Sequence, residues 1–105
     1  MRFSFCILWA APLLAQPLEF NRDVRPILSD RCWTCHGSDA AAKGIRLRLD
    51  QSTSVAAARH LIVERISTPN TIKRMPPAHT GAALSPTEVA TLTKWADAGA
   101  PWQKH

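Results

Sequence analysis

One pentapeptide constrains this chain more than any other feature: Cys32-Trp33-Thr34-Cys35-His36. On a single helical turn, positions i, i+3 and i+4 share a face. Two thiols and an imidazole are therefore offered together from one short stretch. A chain of 105 residues forms one domain rather than two. A core of that size commonly needs a staple, so whatever these three side chains hold is expected to be central to the fold.

The spacing C-x-x-C-H is the attachment signature of c-type haem. Two thiols on one turn can reach the two vinyl groups of a porphyrin, while the next imidazole stands under its iron. In this reading Cys32 and Cys35 form thioethers and His36 is the proximal ligand. Other chemistries use the same residues. A thioredoxin-like C-x-x-C wants a βαβ context, for which the chain shows no strand run. Zinc requires a fourth ligand, and a structural disulfide leaves His36 without a role. The motif favours one covalent haem, with a haem-free redox or zinc module as the alternative.

A six-coordinate iron needs a second axial ligand. Met75 is the one methionine after the initiator and lies in Arg74-Met75-Pro76-Pro77, where the prolines restrict the backbone. A thioether ligand favours reduced iron and raises its potential, which suits an electron carrier. His79 and His60 are the rival sixth ligands, and His105 sits at the end of the chain. Haem propionates need partners, for which Arg46, Arg48 and Lys43 are the candidates. In this reading Ile45, Leu47 and Leu49 face the porphyrin; the alternative for the arginines is a solvated basic edge.

Residues 1–15 begin with Arg2 and continue through Phe3, Phe5, Ile7, Leu8, Trp9, Leu13 and Leu14. A positive start followed by a short apolar run is the layout of a secretory signal. Cleavage is expected after Ala15, although Leu13 is bulky for the third position back. Pro12, Gln16 and Glu19 keep the run well short of a membrane span. The protein is thus expected to be periplasmic or secreted, with no stable membrane insertion once the leader is gone. Cys6 leaves with the leader, so Cys32 and Cys35 are the two cysteines of the mature domain at residues 16–105.

Within that domain, Phe20, Val24, Ile27 and Leu28 recur at helical spacing and predict a helix over residues 23–30, with Asp23 as N-cap. Residues 40–43 before Gly44 read as a short helix or loop. Ile45, Leu47 and Leu49 alternate with Arg46 and Arg48 in an extended pattern. A second helix is predicted over residues 54–66, while the prolines and Asn70 of residues 67–80 rule out one regular element. Ser85, Pro86 and Glu88 mark a capped helix start, Val89, Leu92, Trp95 and Ala96 its apolar stripe, and Gly99 with Pro101 its stop. Trp95 is expected against residues 20–28 and Trp102 over the core or at a neighbouring domain. The sum is an all-α domain with long loops.

Taken together, Phe20-Asn21-Arg22-Asp23-Val24-Arg25-Pro26-Ile27-Leu28 and Cys32-Trp33-Thr34-Cys35-His36-Gly37 resemble the planctomycete-type cytochrome c domain. The similarity continues through residues 44–50, 61–66, Arg74-Met75-Pro76-Pro77 and residues 84–102, nearly all of the mature chain. The resemblance implies a small class I-like cytochrome c fold, with helices and long loops wrapped around one covalent haem, His36 proximal and Met75 distal. It also implies that this domain can open a longer exported protein. The chain departs from the family in a compressed stretch at residues 51–60.

The expected function is single-electron transfer to or from a redox partner protein or a tethered downstream domain. The chain itself is a carrier rather than an enzyme. If Met75 does not hold the iron, a ligand-binding, peroxidase-like or sensor role is the alternative. Scattered basic residues without a recognition motif argue against nucleic acid. The formal charge of +5 rests on thirteen basic and eight acidic residues. Loss of Arg2 lowers it to +4, and two haem propionates would lower it to about +2.

Overall fold

The computed structural model describes residues 17–105, and the leader expected at residues 1–15 lies outside them. Every regular element among the described residues is helical, in keeping with the all-α expectation. Helix begins earlier than expected, at Phe20. A π-helical turn, Phe20–Val24, closes when the Arg25 N–H bonds the Phe20 carbonyl, and α1 (Arg25–Arg31) follows directly. Asp23 is therefore not the N-cap. It lies inside the first turn and reaches back, accepting the Glu19 N–H at 2.9 Å. Pro26 supplies the physical reason: it lacks a donor, and its ring crowds the carbonyl four residues back. A wider turn just ahead of it changes the register of those carbonyls.

Cys32 bends the chain, its N–H still bonded to Leu28 O at 2.9 Å, and α2 (Trp33–His36) is one short turn. Gly37 follows of steric necessity, since a Cβ there would run into the Trp33 carbonyl. A 3-10 turn, Ala40–Lys43, ends on Gly44 at φ +72°, a left-handed position suited to glycine. Residues 45–48 form no regular element. Helix α3 (Ser52–Ser67) starts two residues before the expected Ser54 and ends one after Ile66. After an irregular loop and a 3-10 turn, Ala78–Thr80, comes α4 (Pro86–Asp97). Both bonds of its capping box are present, Glu88 N–H to Ser85 Oγ at 3.1 Å and Ser85 N–H to Glu88 Oε1 at 2.9 Å.

The core lies where α1, α3 and α4 meet. Val24, Leu28, Val55, Leu92 and Trp95 are its most deeply buried side chains, each stabilising by at most about 1.5–3 kcal/mol. Trp95 packs against Phe20 with ring centroids 5.8 Å apart and donates its indole N–H to Pro101 O at 2.8 Å. Trp102 covers the outside of Phe20 at 4.1 Å. Trp95 takes its expected seat against residues 20–28, and of the two places expected for Trp102 the observed one is over the core. Among the described residues no helix is long and apolar enough to cross a membrane.

Candidate functional site

The turn at α2 holds Cys32, Cys35 and His36, all half-buried. His36 is fixed from two sides by the strap that follows Gly44. Its carbonyl accepts the Leu49 N–H at 2.7 Å, and its ring Nδ1 lies 2.7 Å from Leu47 O. A carbonyl oxygen can only accept, so Nδ1 carries the proton and donates it. In the neutral imidazole this leaves the Nε2 lone pair free for a metal, in the tautomer and orientation that a ligating histidine needs. The same strap accepts the Trp33 indole N–H at Leu49 O, 2.8 Å away.

The strap's backbone carbonyls thus orient the α2 rings, a role apart from the one expected of its side chains. Leu49 is buried in the core and half-buried Leu47 packs against the same cluster, whereas half-buried Ile45 is not part of it. Arg48 grips Asp50 through two of its guanidinium nitrogens, Nε donating to Oδ1 at 2.9 Å and Nη2 to Oδ2. Lys43 is committed to Asp39 at 3.3 Å and to the Thr34 carbonyl. Of the candidate propionate partners, exposed Arg46 is left as the one for which no carboxylate stands within ion-pair distance among the described residues.

Cys32 and Cys35 are free thiols. Burial is the main cause that pushes the Cys32 thiol up to about 11, with smaller contributions from Cys35 and from the Glu88 carboxylate. Cys32 is therefore protonated at neutral pH. Glu88 sits between two tasks: it closes the α4 capping box and faces Arg31 across 3.6 Å. Its carboxyl is held below the ordinary glutamate range, first by the Ser85 N–H and also by Arg31. Among the described residues no three His, Cys, Asp or Glu side chains converge on a common point as a metal cluster would require. Cys32, Cys35 and His36 share a turn without sharing a centre.

Met75 shares a cleft with Val89 of α4's first turn. Its N–H bonds Arg65 O at 2.9 Å, tying the loop to the end of α3, and the Met75–Pro76 peptide is cis. Its side chain is 38% exposed and lines a cleft of about 120 Å³ with Ile66, Pro76, Leu84 and Val89. Val89 adjoins Glu88 in sequence, so the first turn of α4 links the surroundings of Cys32 to the Met75 cleft. Cys32, Cys35 and His36 are not among the residues lining that cleft. His60 is exposed on α3, and His79 is exposed in the 3-10 turn that follows the Met75 loop.

Sequence reasoning missed Arg25. Its guanidinium lies 4.9 Å from the Phe20 ring, 5.6 Å from Trp33 and 5.8 Å from Trp102. It also donates to Asn21 Oδ1 at 2.9 Å and Gln103 O at 3.0 Å. Trp33 is therefore positioned by a cation as well as by the strap. Comparison of the chain with protein-family models, curated proteins and solved structures gives no match.

Proposed function

We propose that this chain is an exported monohaem c-type cytochrome that carries single electrons. The observation that carries the reading is the Nδ1 donation from His36 to Leu47 O at 2.7 Å. It presents Nε2 as a ligand one residue after a pair of free thiols spaced for two vinyl groups. The donor set, two thiols and the following imidazole on one turn, is the one that haem attachment uses, whereas zinc requires a fourth ligand. When bound, the haem would supply one-electron chemistry at its iron. The protein's part is to hold and tune: Cys32 and Cys35 anchor the ring, the strap orients His36, and Met75 offers a soft second ligand from a loop fixed to Arg65. Arg46 remains available to a propionate; Arg48 would first have to leave Asp50.

The 38% exposure of Met75 supports a second reading, in which the thioether stays off the iron and an open position serves ligand binding, peroxide chemistry or sensing. Protein matured in a host that attaches haem c separates the two. Electron carriage predicts a low-spin spectrum in both oxidation states, a methionine–iron charge-transfer band and no rapid carbon monoxide binding. Absence of that band with ready carbon monoxide binding assigns the second reading. Pigment lost on denaturing electrophoresis would exclude covalent haem and with it both.

A further inference from the structure

Ile72 is 93% exposed, the largest exposure of any big apolar side chain among the described residues. It stands on a loop whose charge has one sign. Between Glu64 and Glu88 the sequence has Arg65, Lys73 and Arg74 and no carboxylate at all. The guanidinium of Arg74 bonds two neutral carbonyls, Thr68 O at 2.9 Å and Pro69 O at 3.2 Å, which fix it without cancelling its charge. Among the described residues no carboxylate stands within ion-pair distance of Arg65, Lys73 or Arg74.

The loop is also preformed. Asn70 Oδ1 accepts the Ile72 N–H at 3.0 Å, and Asn70 O accepts those of Lys73 and Arg74 at 3.1 and 3.0 Å. With Met75 tied to Arg65, the exposure of Ile72 is a held conformation, so a partner would meet it at little ordering cost. An apolar knob with a basic rim has the anatomy of a transient protein interface.

We propose that this loop docks an acidic protein surface, with Ile72 filling an apolar recess and Lys73 and Arg74 pairing with carboxylates around it. Charge complementarity selects the partner: a one-sign basic rim steers an acidic surface and rejects a basic one. A single isoleucine on a turn lacks the apolar face by which amphipathic segments enter a bilayer, which favours protein over lipid. The assignment rests on the electron-transfer reading, for it places the partner at the rim of the Met75 cleft.

Binding can be read without redox activity, by surface plasmon resonance of the full chain on monolayers presenting carboxylates mixed with methyl groups. Phosphatidylglycerol vesicles form the second arm, and haem content of each sample is read from its absorbance. Lys73→Glu is expected to weaken adsorption to the mixed monolayer about tenfold at low salt. Lys94→Glu, an equal charge change on exposed α4, should change it less than about twofold. Ile72→Ser should weaken it several-fold on the mixed monolayer and leave the pure carboxylate monolayer unaffected. Equal effects of Lys73→Glu and Lys94→Glu would reduce the attraction to net charge and overturn the proposal. So would an Ile72→Ser variant that binds as wild type, or tighter binding to vesicles with the same order of variants. Binding as proposed by protein that carries no haem after maturation in a host that attaches haem c would leave the docking face standing and fail the electron-transfer reading alone.

Discussion

At the scale of single residues, the site turns on which atoms are already spoken for. His36 has one ring nitrogen bound to Leu47 O and one free; Arg48 is taken by Asp50; Met75 is held by its backbone and free at its sulfur. Met75→Ala is therefore expected to leave the haem attached, lower its potential and open the iron to carbon monoxide. An unchanged potential would name another sixth ligand, with His79 the first to test. The thiols, the imidazole and the methionine were legible because their side chains carry the chemistry at a fixed spacing. The parts that orient them were not. Leu47 and Leu49 act through carbonyls, which every residue type has, and Arg25 reaches Trp33 and Trp102 from positions that sequence separation hides.

At the scale of elements, the capped start of α4 was fully readable, since Ser85, Pro86 and Glu88 each leave a local signature. Ser85→Ala should cost about 1 kcal/mol in urea unfolding, and an effect below a few tenths would mean the cap is dispensable. The start of α1 was misread because Asp23 fits an N-cap by type, whereas Pro26 is accommodated by a π turn inside which Asp23 accepts the Glu19 N–H instead. Carboxylates at both helix starts make a pH prediction. Asp23 lies at about 2, chiefly through its bond with Arg22 and then the Glu19 N–H, and Glu88 is also depressed. Folded values below the unfolded ones stabilise fully above about pH 4–4.5, and that contribution is lost as pH falls toward the folded values. The urea midpoint should drop below about pH 4.5, less steeply in Glu88→Gln and less in high salt. A midpoint that rises on acidification would contradict these roles.

At the scale of the whole molecule, the π-helical turn with α1, α3 and α4 share one apolar core, and the first turn of α4 places Glu88 by Cys32 and Val89 in the Met75 cleft. That arrangement follows from helical periodicity and could be anticipated as an all-α domain. What periodicity cannot encode is how the strap of residues 45–50 is bonded to α2, because those bonds join residues far apart in sequence and are made by the strap's backbone. The central claim is that the paired thiols and His36 exist to hold a covalent haem. Intact mass of protein matured in a host that attaches haem c tests it most directly. The account predicts the chain plus one haem, with the added mass lost in the Cys32→Ala/Cys35→Ala variant; the mass of the polypeptide alone, or of a polypeptide two hydrogens lighter through a disulfide, would contradict it.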